Sequence, residues 1–365
     1  MPDTLSAILV PHAQALLGYA VVFALLEFGF PAKRVQRLWR RDSALDLAYS
    51  FSLPLLLYVP HTLTLIFFTG YFLGAVPADP DAPGFIERQL KVVENPRHGA
   101  VSIHPGPNWT YLPQPGFSGL DTMVTRESAG ENETVKTILI RVEAEPQKVS
   151  WAVTSVQRTG RSSEGLSGFF MDLRTWNAER PFLVQLVLVL FAMDFIGYWR
   201  HRLMHSKYFW PFHTIHHSSG SVDWLSNERM HPVNQFINTI VSFLILIALV
   251  EDPFLSSICI FLRRGYSLYI HCNARISYGP LDYVLTSPLF HRWHHANCPE
   301  AENRNFAIFF SCIDWMFGTH YLPARREDPE QLGLVRDRIP DGLLGQWIYP
   351  FAKLFRVKDS AGLGG

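Results

Sequence analysis

Trp199-Arg-His-Arg-Leu-Met-His-Ser-Lys-Tyr-Phe-Trp-Pro-Phe-His-Thr-Ile-His-His217 is the stretch that decides how this chain is read. It follows an apolar run, Pro181 to Trp199, broken only by Asp194. A run of that size approaches the roughly 20 helical residues needed to cross a hydrocarbon core of about 30 Å. A helix leaving a membrane there would hold His201 and His205 at the lipid boundary, with His213, His216 and His217 just beyond. The spacing returns at His291-Arg-Trp-His294-His295, and a single His271 lies between the clusters. Imidazoles at i, i+3 and i+4 share one helix face, so each cluster can present two or three nitrogens to one point. Of 15 histidines in 365 residues, 11 fall between His201 and His320, a concentration far outside chance.

Working outward, Leu5 to Leu26 and Leu47 to Ala78 contain no Asp, Glu, Lys or Arg, and each is long enough to cross a membrane. Pro54 and Pro60 are tolerable as kinks in the second. Pro232 to Val250, then Glu251-Asp252-Pro253 and a second apolar run from Phe254 to Leu262, read as a helical hairpin. The first 30 residues lack a basic start and a small-residue cleavage site, so the stretch is expected to stay as an anchor. Charged residues make up 18% of the chain where soluble domains carry about 25%. The 32 Lys plus Arg balance 32 Asp plus Glu, which argues against a nucleic-acid partner. Lys33, Arg34, Arg37, Arg40 and Arg41 crowd the loop between the first two spans, predicting a cytoplasmic loop. Parity then sets His201, His271 and everything after them on that same side. Cys259, Cys272, Cys298 and Cys312 form no C-x-x-C pair and read as free thiols.

Between Asp79 and Arg180 the composition changes to short alternating segments. Val101 to His104, Trp109 to Leu112, Thr122 to Thr125 and Val135 to Val142 read as strands separated by Pro, Gly and Asn turns. The expectation is a small all-β sandwich inserted between spans two and three. Asn95-Pro-Arg-His-Gly-Ala-Val-Ser-Ile and the segment from Trp109 to Asp121 resemble cadherin-like, immunoglobulin-type repeats of bacterial surface proteins, over about fifty residues. No metal is assigned there.

A tetrahedral zinc takes four ligands, whereas the paired clusters alone supply eight imidazoles, and His271 and His231 raise the set to ten. Two metals are the economical count. Imidazole suits zinc, copper, iron or nickel. Taken alone a histidine is more often a satisfied core or surface residue, which is the reading for His12, His61, His98, His104 and His320. His231, in Asn227-Glu-Arg-Met-His231-Pro, stands between the two. Asp194 reads as a hydrogen-bond partner of Tyr198 or Arg200, and Asp314 as a carboxylate holding a ligand imidazole.

The order H-x-x-x-H, H-x-x-H-H, hairpin, H-x-x-H-H, then Ile313-Asp-Trp-Met-Phe-Gly-Thr319, resembles the fatty acid hydroxylase and sterol desaturase superfamily of integral-membrane di-iron enzymes. Trp210-Pro-Phe-His-Thr-Ile-His-His-Ser-Ser219 and Gly279 to His295 carry most of the likeness. It covers about Pro181 to Leu322 and leaves the β insert unexplained. The resemblance implies metal ligands at His201, His205, His213, His216, His217, His271, His291, His294 and His295, with His231 as a tenth candidate. It implies two iron ions, O2 as co-substrate and a membrane lipid substrate. The reaction would be hydroxylation of a C–H bond, with desaturation as the alternative. Zinc cannot supply such redox steps. No dinucleotide, flavin or haem motif accompanies the histidines, so electrons would come from a ferredoxin or cytochrome b5-like protein. Arg292, Arg325 and Arg326 are candidate docking charges for it.

The expected fold is therefore mainly α: a multi-pass membrane helical bundle with cytoplasmic histidine-rich catalytic helices. Residues 1–78 hold two spans, 79–178 an extracytoplasmic β-sandwich, 179–322 the catalytic domain and 323–365 a basic cytoplasmic tail. The membrane would be a bacterial inner membrane, or the endoplasmic reticulum in a eukaryote. Two rival classes are a zinc or copper transporter, whose sites belong near the bilayer midplane, and an envelope adhesion protein working through the β insert.

Overall fold

A computed structural model describes residues 2–33, 36, 39–57, 88–104, 109–129, 132–143, 149–159, 166–334 and 338–361. The chain divides into two units, Met1–Thr69 with Leu173–Gly365, and Gly70–Asp172.

The first unit is helical. Helices α1 (Pro2–Gly29) and α2 (Ser43–Leu57) come from the N-terminal apolar segments. The remainder of the expected second span, with Pro60 and His61, lies outside the described residues. After α3 (Leu166–Ala178) come α4 (Phe182–Met204), α5 (Trp210–His217), α6 (Pro232–Leu249) and α7 (Pro253–His271). Then follow α8 (Pro288–His294), α9 (Cys312–Met316) and α10 (Leu343–Ala361). Proline sits in the first turn of α5, α6, α7 and α8, where its missing N–H costs nothing and its fixed φ favours entry. Asp252 and Ser287 cap α7 and α8 by accepting from the Phe254 and Phe290 amides.

Leu9–Gly29, α4 and α6 are long and apolar enough to cross a membrane. Helix α7 runs on past the expected end at Leu262 because Arg263 and Arg264 turn inward to Asp194 and Glu228 and do not break it. Leu166–Ala178 is helical although the β insert was expected to reach residue 178. Its apolar residues Leu166, Phe169, Phe170, Leu173 and Trp176 recur at helical spacing, not alternately. Val189, Met193, Leu246, Leu255 and Cys259 form the core between α4, α6 and α7. Asn177 donates to the Leu249 carbonyl (2.7 Å), so the start of α4 and the end of α6 share one end of the bundle. At the other end the Ala32 amide donates to the Asn273 carbonyl (3.0 Å) and the Arg275 amide to that of Phe30 (2.8 Å). The residues that directly follow α1 thus pack against the segment that directly follows His271.

The basic loop is not wholly a solvent-facing charge cluster. Arg40 is buried and paired with Asp46 (2.7 Å) and Asp223. All four cysteines are free.

Apart from Leu166–Asp172, the start of α3, the described elements of the second unit are β strands. Strands β1 (Arg88–Glu94), β4 (Gly119–Ala129), β5 (Asn132–Val142) and β6 (Val149–Thr159) form an antiparallel sheet in the order β1-β4-β5-β6, and β2 (Gly99–Ile103) pairs with β3 (Trp109–Pro113). Met123, Ile138, Ile140 and Val142 face Val101, Trp109, Tyr111 and Phe117 across its core. Asp121 accepts from the Arg97, His98 and Thr122 amides and from the Tyr111 hydroxyl. That carboxylate is spent on tying the loop before β2 to the sheet.

Candidate metal centre

Four helices of the first unit bring nine of the ten predicted histidines together. Ligand atoms of His201, His205, His213, His217 and His294 lie within 4.8 Å of one another, as do those of His216, His271, His291 and His295. The sequence suggests that each H-x-x-H-H cluster serves one point; the structure divides each between two. On α5, His213 and His217 (i, i+4) join the first group and His216 the second. On α8 and its C-cap, His291 and His295 join the second group and His294 the first. The motif supplies a chelating pair to one site and a single imidazole to its neighbour, since i+3 and i+4 diverge about the helix axis by one residue's rotation.

The outward nitrogens are fixed by backbone. His201 Nδ1 lies 2.8 Å from the Phe306 carbonyl oxygen, His294 Nδ1 2.7 Å from that of Arg304 and His271 Nδ1 2.7 Å from that of Ser267. His216 Nδ1 lies 3.2 Å from the Arg229 carbonyl and His213 Nδ1 3.1 Å from Asn234 Oδ1. An amide or peptide oxygen can only accept, so these partners assign the proton to Nδ1 and a lone pair to Nε2. Yet Nε2 of His201 and His213 are 3.0 Å apart, and those of His216 and His271 3.1 Å. Lone pair faces lone pair. Nε2 of His205 and of His294 are buried without any partner. Buried nitrogens in this state are costly, and one cation in each group satisfies them all. The residues present fit a metal in both groups.

Burial pushes the imidazoles of His213, His216, His217, His291 and His295 well below their ordinary range, with the neighbouring histidines adding to the effect. Burial lowers His294 to about 4. All are neutral near pH 7, the form that binds metal.

His231 stays outside both groups. Its Nε2 donates to the Trp347 carbonyl (2.9 Å) and its Nδ1 accepts from the Val233 amide (3.1 Å), leaving no free lone pair. Replacing it with Asn is expected to leave bound metal unchanged while costing about 1 kcal/mol for the lost tie to α10. Metal analysis and a melting curve of the purified variant check both. Of the histidines read as structural, His12 lies 3.1 Å from the Ser50 hydroxyl, His104 3.0 Å from that of Thr110, and His320 3.2 Å from the Asp282 carbonyl, while His98 stacks on Phe117.

Two carboxylates act differently from expectation. Asp194 bonds neither Tyr198 nor Arg200; it accepts from the Ile308, Phe309 and Phe310 amides at 2.9, 2.9 and 2.7 Å. Asp314 touches no imidazole; it accepts from the Phe306 and Ala307 amides, each at 2.8 Å, and from the Thr319 hydroxyl at 2.7 Å. Together they clamp the segment whose Phe306 carbonyl orients His201. Asn303 and Asn305, with φ of 56° and 60°, turn the chain just before it. Asn tolerates that left-handed conformation, and the Asn305 amide group donates to the Phe290 and Tyr321 carbonyls. An Asn-x-Asn pair beside a buried carboxylate was the available sequence signal for this loop.

Arg292 is fully buried, bonded to Asp328 through two 2.7 Å contacts, and Arg326 is paired with Asp282. Both charges are committed internally. Truncating Arg292 to Ala would leave Asp328 unpaired, at a cost of about 3–5 kcal/mol, measurable as a lowered melting temperature.

A cavity of ≈ 380 Å³ touches both groups, reaching His201 and His213 of the first and His216, His271 and His291 of the second. Leu53, Leu57, Met193, Phe243, Leu246 and Ile260 supply much of its apolar wall.

Residues 186–319 match the fatty acid hydroxylase family model. That segment is a fatty acid hydroxylase domain. All nine clustered histidines lie within it, and the likeness extends to characterised relatives. The ornithine lipid hydroxylase OlsE of Rhizobium tropici is 32% identical over 187 residues, 49% of this chain and 54% of that protein. The alkylglycerol monooxygenase of Danio rerio is 32% identical over 133 residues, 36% of this chain and 29% of that protein. A very-long-chain aldehyde decarbonylase, GL1-6 of Oryza sativa subsp. indica, is 26% identical over 159 residues, covering 40% and 24% respectively. The matches thus span about half of the first of these proteins and less than a third of the others. No solved structure matches the chain.

Proposed function

We propose that this fatty acid hydroxylase domain carries a non-haem di-iron centre and hydroxylates a membrane lipid at the expense of O2. The observation that carries this reading is the opening of two all-histidine groups onto one largely apolar cavity beside helices long enough to cross a bilayer. Iron bound in the two groups supplies the redox chemistry that inserts an oxygen atom from O2 into a C–H bond, which zinc cannot. The chain's own residues do the rest. Peptide carbonyls of Ser267, Arg229, Arg304 and Phe306 fix imidazole tautomer and aim, as outer partners do at metal sites. The apolar wall takes hydrocarbon and excludes water from the reacting carbon.

Helices α1, α4, α6 and α7 make a multi-pass bundle, with the histidine end on the cytoplasmic side of a bacterial inner membrane, or of the endoplasmic reticulum in a eukaryotic host. Support comes from the sequence, in which Lys33, Arg34, Arg37 and Arg41 crowd the loop between the first two apolar segments. Electrons arrive from a separate ferredoxin or cytochrome b5-like carrier. The β unit is an extracytoplasmic domain.

The test is 18O2 supplied to cells expressing the protein, followed by lipid mass spectrometry. One 18O in a lipid absent from control cells is expected. Loss of two hydrogens without label would make it a desaturase, and an unchanged lipid profile would remove the enzyme reading.

A further inference from the structure

The cavity beside the histidines carries a positive charge that the described residues do not balance. Arg200, Arg263, Arg264 and Glu228 all reach its wall. Arg264 is neutralised by Glu228, with contacts of 3.1 and 3.0 Å. Arg263 is buried and crosses α4 at Gly197, where a Cβ would meet its Nη2 at 3.0 Å. Its Nη1 lies 4.0 Å from Asp194 Oδ1, a carboxylate already accepting from three amides. Arg200 has no ion pair or hydrogen bond among the described residues, and its Nε is buried without a partner. A guanidinium whose Nε is shut away from water without a partner is costly, and it is retained where it meets something.

We propose that the cavity seats an anionic amphiphile, its oxyanion head group, a carboxylate or a phosphate, on Arg200 with Arg263 behind it. The planar guanidinium fork matches such an oxyanion with two parallel hydrogen bonds. Leu53, Leu57, Leu246 and Ile260 then receive the hydrocarbon chain. Arg200 immediately precedes His201 on α4 and both line the cavity. The carbons nearest the head group, not the tail end, therefore face the histidines. That point of attack rests on the oxygenase reading; the anion site does not.

The experiment is binding of tritiated oleate and of tritiated oleyl alcohol to the full chain in detergent, with iron measured on the same preparations. Arg200→Gln is expected to weaken oleate by about tenfold, the worth of a charge-assisted pair, and to leave oleyl alcohol within about twofold. Arg200→Lys should restore part of the preference, and butyrate at the same concentration should not displace oleate. Equal losses for both probes in Arg200→Gln would overturn the proposal, and displacement by butyrate would reduce the site to one for small anions and overturn it too. If Arg200→Gln cannot be purified, wild-type displacement of bound oleate decides. Unlabelled oleate should displace it better than oleyl alcohol, and equal displacement would contradict the site. Protein without iron that still prefers oleate would sink the oxygenase reading and keep this site; protein with two irons and no preference would do the reverse.

Discussion

His294→Ala and His271→Ala are each expected to lower bound iron from about two ions per chain to about one, and the double variant to about none. Each variant removes one nitrogen from a different group: His294 from the set on α4 and α5, His271 from the set completed by His216, His291 and His295. Loss of even an outer support costs tenfold to a hundredfold in metal affinity or activity, so loss of a ligand should reduce lipid hydroxylation by about a hundredfold or more. Gln at either position keeps much of the volume but offers no imidazole, so it should resemble Ala in iron content while melting closer to wild type. The measurement is elemental analysis with a melting curve on the same sample. A single variant that retained two irons would show that the division into two groups is wrong.

Asp194→Ala is expected to have the largest effect of any change away from the histidines. It strips the buried acceptor from three partly buried amides and the nearest carboxylate from Arg263. Each orphaned group costs about 1–3 kcal/mol, so a destabilisation of about 3 kcal/mol or more follows. Because residues 306–310 hold the Phe306 carbonyl against His201, the variant should also lose iron from the first group. Asp194→Asn keeps one acceptor oxygen and should fall between. Detergent melting curves with iron analysis check this, and a variant with wild-type melting and full iron would refute the clamp.

The spacing of the histidines was legible because helix period acts locally: i, i+3 and i+4 share a face whatever the rest of the chain does. Their division between two groups was not, since it depends on how α5 and α8 are rotated against α4 and α7. The oxygens that fix the tautomers are mostly peptide carbonyls, and every residue has one, so only the folded path of the backbone selects Ser267, Arg229, Arg304 and Phe306. Asp194 was read against Tyr198 or Arg200 and Asp314 against a ligand imidazole, whereas both accept from amides of a loop that no periodic pattern describes. The hairpin was legible as two apolar runs, but Arg263 and Arg264 seemed to end the second; inside the fold they face carboxylates and the helix continues to His271. In the β unit the alternation at β2 to β5 was legible, while β1, which reads Arg-Gln-Leu-Lys-Val-Val-Glu, lacks clean alternation, and β6 (Val149–Thr159) lay outside the strands read from the sequence.

The most direct test of the central claim is the metal content of the purified wild-type chain in detergent. Two iron ions per chain are expected, bound wholly through nitrogen ligands by X-ray absorption and removed by chelators together with lipid hydroxylation. One metal per chain, or zinc in place of iron in protein that still hydroxylates, would contradict the account.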